Sequence, residues 1–326
     1  MYYLGLDIGS VSTDFVLLDM ELNVADELYL KTNGSPVEAI RRGLELWGET
    51  YDDRQITAIG ITGSARHIGS YIAGGDIVKN EITAHAVAAL HSNPDVRTII
   101  EIGGQDSKII ILDNGVVVDF AMNTVCAAGT GSFLDRQSER MQIPIEKFGD
   151  YALRATLPVR IAGRCSVFAE SDMIHKQAMG YGECDIIAGL CEALVRNYLV
   201  NVGKGKEIRE AVLFQGGVAA NQGMKAAFEK ALGREVVVPA HFRVMGAIGA
   251  AMIAAESAQG TTRFRGFKTA KSKFESNSFE CNGCANACEV VTILQNKSAI
   301  VGRFGDKCGK WSDAVLQETQ NSIKLN

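Results

Sequence analysis

Proline is scarce, at 5 in 326 residues, which excludes proline-rich linkers. Basic charge is not in excess. Lys and Arg total 33 against 38 Asp and Glu, a net charge of −5 with a pI near 5.7. No basic face is implied, so nucleic acid is not an expected partner. The start Met1-Tyr2-Tyr3-Leu4 lacks a basic leader, so no secretory signal is expected. The longest uncharged apolar run, Val244 to Ala255, is too short to span a bilayer. These absences predict a cytoplasmic protein without a membrane partner. There is no Gly-x4-Gly-Lys-Ser/Thr loop, and no Gly-x-Gly-x-x-Gly follows the first strand, which excludes P-loop and Rossmann sites. The five histidines, His67, His85, His91, His175 and His241, lack ligand spacing and are expected to be structural.

What is present is a globular balance of 47% hydrophobic and 22% charged residues, with a length that suits two lobes. The chain shows a repeated pattern. Tyr3 to Gly9 reads as an apolar strand ending in a carboxylate and a glycine, followed by a turn over Ser10–Asp14 and a strand over Phe15–Asp19. Glu27–Lys31 suits a third strand. Ser35-Pro36 opens a helix with Val37, Ile40, Leu44 and Trp47 on one face, and Ile56–Thr62 is another strand. About 96 residues later, Thr98 to Asp106, Lys108–Asp113 and Gly115–Ala121 repeat the order strand, acidic glycine turn, strand, strand. Ala211–Gln215 then runs into Gly216-Gly217. A helix (Asn221–Leu232), a strand (Glu235–Val238) and a small-residue helix (Val244–Ala258) follow.

Three glycine turns stand at strand ends: Asp7-Ile8-Gly9-Ser10, Gly103-Gly104-Gln105-Asp106, and Gln215-Gly216-Gly217. Glycine turns expose backbone N–H groups to phosphate, and an adjacent acid can hold Mg²⁺ or position a water. Each alone is an ordinary strand turn; three in order on a duplicated scaffold suggest a phosphate clamp. With these motifs the chain resembles the superfamily of actin, the heat-shock chaperone ATPases and the sugar kinases. Asp7–Asp14 looks like its first phosphate motif, Glu101–Lys108 its second, and Phe214–Asn221 its adenosine motif. The resemblance implies an α/β, duplicated, two-lobed ribonuclease H-like fold closing on Mg·ATP. It implies Asp7 and Asp106 facing the metal and attacking water, with Gln105 orienting that water. Gly9, Ser10, Ser12, Thr13, Gly103 and Gly104 are implied near the phosphates, and Gly216 and Gly217 near the ribose or α-phosphate.

The eight cysteines of a cytoplasmic chain are not a disulfide framework; metal, redox and plain burial are the open readings. Cys126 precedes a helical stretch at Phe133–Gln142, and Cys165 one at Val167–Met179. A helix N-terminus stabilises a thiolate or an anionic cluster. Cys184 and Cys191 sit in an apolar helical context and read as buried. Two ligands cannot complete a four-thiolate site, but a two-fold dimer doubles them. The segments Leu6–Thr13, Glu101–Lys108, Asn123–Leu134, Gly163–Phe168 and Phe214–Asn221 resemble the ATP-dependent activators of 2-hydroxyacyl-CoA dehydratases, and more loosely the ATPase subunits of benzoyl-CoA reductases. The resemblance covers residues 1–257. It implies a homodimer with one [4Fe–4S] cluster bridged by Cys126 and Cys165 of both chains. It also implies ferredoxin or flavodoxin as electron donor, and an iron–sulfur dehydratase or double-cubane reductase as acceptor.

The expected domain division is a first lobe over 1–92, completed by helix 244–258, and a second over 93–243. A polar linker (259–278) then leads to a tail (279–326). The tail carries Cys281, Cys284, Cys288 and Cys308 in a C-x2-C-x3-C pattern plus a lone cysteine, which predicts a second [4Fe–4S] cluster or Zn²⁺. Val290–Leu294 and Ser298–Gly302 suit a hairpin between the ligand groups. Two alternatives share the motifs: a small-molecule kinase of the acylamino-sugar type, and a non-enzymatic actin-like assembly module. Neither employs the cysteines.

Overall fold

The computed structural model describes residues 1–258 and 260–312. The chain divides into two units, residues 1–81 with the chain from 246 onward, and residues 82–245.

In the first unit, β1 (Tyr2–Ile8), β2 (Ser12–Leu18) and β3 (Val24–Lys31) form an antiparallel meander. Leu4, Leu6, Ile8, Phe15 and Leu17 are fully buried in its core. Helix α1 (Pro36–Gly48) starts on Pro36, whose fixed φ suits a first helical position; Ser35 makes no side-chain cap bond. Its Ile40, Leu44 and Trp47 are buried at the predicted helical spacing. Then β4 (Ile56–Thr62) lies parallel beside β1, α2 (Arg66–Gly69) runs into a π-helical turn over Ser70–Gly74, and β5 (Ile77–Val78) closes the order β3-β2-β1-β4-β5.

The second unit begins with α3 (Glu81–Ser92) and repeats the plan with β6 (Thr98–Ile102), β7 (Ser107–Asp113) and β8 (Val116–Asn123). Four helices follow: α4 (Gly131–Met141), α5 (Ile145–Leu153), α6 (Ser166–Ala178) and α7 (Glu183–Asn201). The unit ends with β9 (Val212–Gln215), α8 (Gln222–Leu232) and β10 (Val236–Val237). Its sheet order, β10-β9-β6-β7-β8, matches that of the first unit. Asn221 caps α8, accepting the Met224 N–H at 3.1 Å. Helix α7 is buried along most of its length, and Tyr198 donates to the Lys108 carbonyl at 2.7 Å.

Helix α9 (Met245–Ser257) returns to the first sheet. The Cα atoms of Gly5 on β1 and Gly60 on β4 leave the space taken by the Ala247 and Ala250 carbonyls, so only glycine at those strand positions admits the helix. Among the described residues no helix is long and apolar enough to cross a membrane.

Of the expected linker, residues 260–278 are not a free linker, and residue 259 lies outside the described residues. Arg263 N–H donates to Asp76 Oδ1 at 2.6 Å, and Phe267 N–H to Asp53 Oδ1 at 2.7 Å. Phe267, Ala270 and Phe274 lie in the first unit's core. Lys268, Lys271 and Lys273 of this strap are exposed and mask its apolar spacing. It continues into a three-stranded sheet of β11 (Phe274–Glu280), β12 (Glu289–Gln295) and β13 (Ala299–Phe304). The expected hairpin is β12–β13, and β11 is an added strand drawn partly from the expected linker. The expected tail's residues 313–326 lie outside the described residues.

Candidate nucleotide and cysteine sites

In the first unit the β1–β2 turn closes with Gly9 N–H donating to the Ser12 carbonyl at 2.8 Å. The Thr32 hydroxyl donates to the Gly9 carbonyl at 2.9 Å and lies 2.9 Å from the Thr13 hydroxyl. Thr13 is therefore inside the sheet, below the turn, whereas Ser10 is exposed and Ser12 half-buried. Ser12 Oγ donates to Asp14 Oδ2 at 3.3 Å. Asp7 stands opposite Asp14 in the strand register. Gly63 follows β4 with φ +98°, and a Cβ there would lie 2.6 Å from Asp7 Oδ1. The backbone thus crosses the Asp7 carboxylate at a position only glycine tolerates.

The second unit repeats this arrangement. Gly103 N–H donates to the Asp106 carbonyl at 3.0 Å. Here the strand-end acid equivalent to Asp7 is Glu101, opposite Lys108. Gly216, with φ +89°, takes the place of Gly63: its Cβ would lie 2.7 Å from Glu101 Oε1. Asp106 instead occupies the position of Ser12. Lys108 Nζ lies 3.0 Å from Glu101 Oε2 and 2.8 Å from Asp106 Oδ2. Lys108 and Glu101 are 2% and 5% exposed, while Asp106 is partly open and Gln105 exposed. A buried ammonium thus fixes both carboxylates and leaves the group net negative, able to orient a water or a cation's hydration shell. Gly217, at the start of a 3₁₀ turn, is exposed beside the buried Gly216. Glu101 and Lys108 are site residues that the strand pattern alone does not single out; aligning Asp7-x-Gly9 with Glu101-x-Gly103 finds the first.

The segment after β8 connects this turn to Cys126. Gly131 N–H donates to the Gly103 carbonyl at 2.9 Å, and Ser132 N–H to the Gly104 carbonyl at 2.8 Å. The Ser132 hydroxyl also donates to the Gly104 carbonyl. A Cβ on Gly131 would lie 3.0 Å from the Gly103 carbonyl oxygen. Cys126 itself precedes a 3₁₀ turn over Ala127–Gly129, so it stands before this short turn and not at the start of α4. The turn inserts because Asn123 clamps the loop, accepting Cys126 N–H at 2.9 Å and donating to the Cys126 carbonyl at 2.8 Å. Cys165 is the residue directly before α6. Asn197 of α7 links the two segments. Its Nδ2 donates to the Gly163 carbonyl at 2.6 Å. A Cβ on Gly129 would lie 2.8 Å from its Oδ1. Both cysteines are half-buried. The residues flanking them are apolar and exposed: Val125 at 94%, Val167 at 66% and Phe168 at 69%. Cys191 is buried, which pushes its thiol up to about 12.

The tail cysteines gather at one end of the third sheet. Cys281 N–H donates to the Cys288 carbonyl at 2.8 Å across the β11–β12 turn. The Trp311 indole N–H reaches Cys281 Sγ at 3.4 Å and holds that thiol below its ordinary range, helped by the Gly283 N–H. Among the described residues no group of three or more His, Cys, Asp or Glu side chains stands where it would hold a metal ion. The expected four-thiolate site is therefore not formed by these side chains as they stand.

The matched sheets and repeated glycine turns define a duplicated α/β fold. The chain belongs to the BadF/BadG/BcrA/BcrD ATPase family, whose model matches residues 4–254. It is 34% identical over 261 residues to the (R)-2-hydroxyglutaryl-CoA dehydratase activating ATPase of Acidaminococcus fermentans, covering 79% of this chain and 98% of that one. It is 35% identical over 263 residues to the activator of lactoyl-CoA dehydratase of Anaerotignum propionicum, covering 79% and 99%. The solved activator of 2-hydroxyisocaproyl-CoA dehydratase from Clostridium difficile, with bound ADPNP, superposes with a TM-score of 0.73 at 33% identity, over 79% of this chain and 96% of that one.

Proposed function

We propose that this chain is an ATP-hydrolysing activator. In this reading it takes an electron from ferredoxin or flavodoxin and delivers it at low potential to a 2-hydroxyacyl-CoA dehydratase or a related double-cubane iron–sulfur protein. It acts as a homodimer in which Cys126 and Cys165 of both chains hold one [4Fe–4S] cluster, which supplies one-electron chemistry when bound. The family and the two glycine turns support the ATPase half. Gly9, Ser10, Ser12, Gly103 and Gly104 bind phosphate, Asp7 faces Mg²⁺, Asp106 and Gln105 orient the attacking water, and Gly216 and Gly217 adjoin the nucleotide.

The observation that carries the electron-transfer half is the hydrogen-bonded link from Gly103 and Gly104 to Gly131 and Ser132. A change in what the glycine turn binds is transmitted through this link to the segment bearing Cys126, and through Asn197 to that bearing Cys165. Raising an electron's energy costs about 1.4 kcal/mol per ~59 mV, which ATP supplies if it favours one arrangement of these segments over the other. The exposed Val125, Val167 and Phe168 suit burial against a second copy. The kinase alternative needs Asp106 as a base, yet one of its oxygens is already held by Lys108. No step of this reading runs through the tail cysteines.

Anaerobically prepared protein is expected to be a brown dimer with about four irons from this site. Cys126→Ser and Cys165→Ser each abolish that iron while ATP binding persists. Unchanged absorbance and iron in both variants would refute the ligand assignment.

A further inference from the structure

The second unit contains a cavity of about 850 Å³ that the nucleotide turns do not share. Its floor includes the extended segment 160–164, which leads directly into Cys165, and α7 forms a wall. The floor is fixed: Arg196 Nη2 donates to the Ile161 carbonyl and Asn197 Nδ2 to the Gly163 carbonyl, both at 2.6 Å. Four cations line it, Arg160, Arg164, Lys176 and Arg196, against one carboxylate, Asp172. One oxygen of Asp172 is already engaged by the Ala162 N–H at 2.9 Å. Arg196 lies 3.8 Å from Glu192. Among the described residues no carboxylate pairs with Arg160, Arg164 or Lys176.

A chain with net charge −5 has carboxylates to spare, so four cations gathered in one concavity with a single, engaged acid form a site that attracts anions. Guanidinium groups grip phosphate oxygens in pairs. The volume falls in the range of small-molecule sites, roughly 300–1,000 Å³, and a concave pocket suits a small ligand better than the broad face of an acidic protein. We propose that this cavity binds a small molecule carrying a diphosphate, a group that nucleotides and coenzyme A share. The ligand rests on the backbone that positions Cys165. This is a second anion site, separate from the ATP-binding turns, and its occupancy does not require the cluster assignment.

The test is calorimetric titration of the full chain already saturated with Mg²⁺ and a non-hydrolysable ATP analogue. The titrants are inorganic diphosphate, ADP and coenzyme A, and the ranking of the last two identifies the source. We expect one further equivalent per chain that weakens as salt rises. The double variant Arg160→Gln with Lys176→Gln should lose about tenfold or more in affinity, while its nucleotide hydrolysis and melting temperature stay unchanged. The proposal is overturned if no further equivalent binds, or if the variant binds equally well. Failure of the first ATP site with the second intact would count against the activator reading alone.

Discussion

Lys108 ties the second glycine turn together, because it is buried and holds Glu101 and Asp106 at once. Lys108→Met leaves Glu101 buried without its cation, which costs about 3–5 kcal/mol when a buried pair loses one member. We expect a correspondingly lower urea midpoint, together with lost ATP hydrolysis. Stability within about 1 kcal/mol of the parent would show that Glu101 has another adequate partner. At this scale the sequence is informative but incomplete. The glycines and acids of the turns stand out from their spacing, and the structure brings Gly9, Ser10 and Ser12 to one turn and Gly103, Gly104 and Asp106 to another. What stays hidden is pairing across strands: Thr13 turns inward to Thr32, and Lys108 reaches back to Glu101. Such contacts depend on register, which a linear pattern of apolar residues does not specify on its own.

Among the elements, periodicity serves well where one face is buried. Helix α1, strand β4 and helix α8 fall close to their predicted bounds, and α6 begins one residue after Cys165. It serves poorly where small turns intervene, as with the 3₁₀ turn between Cys126 and α4, which rests on Asn123 side-chain bonds. The strap over 260–274 shows the same limit, since composition suggests a linker while three apolar residues anchor it. A Cβ on Gly48 of α1 would lie 2.8 Å from the Phe267 Cβ, so helix and strap are in close contact. Phe267→Ala is expected to cost about 3–5 kcal/mol, as for other buried aromatics, and to release the strap to limited proteolysis near Arg263 and Arg265. A protease-resistant variant with parental stability would mean that the strap is held by its hydrogen bonds alone.

For the whole molecule, two sheets of matching strand order, each with a glycine crossing a strand-end acid, give the duplication a structural basis that the repeat in the sequence anticipates. The family match ends at residue 254, before the strap and the third sheet. Those elements pack on the first unit, where Phe304 stacks on His67 of α2 with ring centroids 5.6 Å apart, and Tyr71 donates to the Arg303 carbonyl at 2.7 Å. The central claim is that nucleotide bound at the glycine turns changes the surroundings of Cys126 and Cys165. Electron paramagnetic resonance of the dithionite-reduced protein, recorded with and without Mg·ATP, tests it most directly. The account predicts a reduced [4Fe–4S] signal whose shape shifts when Mg·ATP is added; an iron-free protein, or a cluster signal identical in both samples, would contradict it.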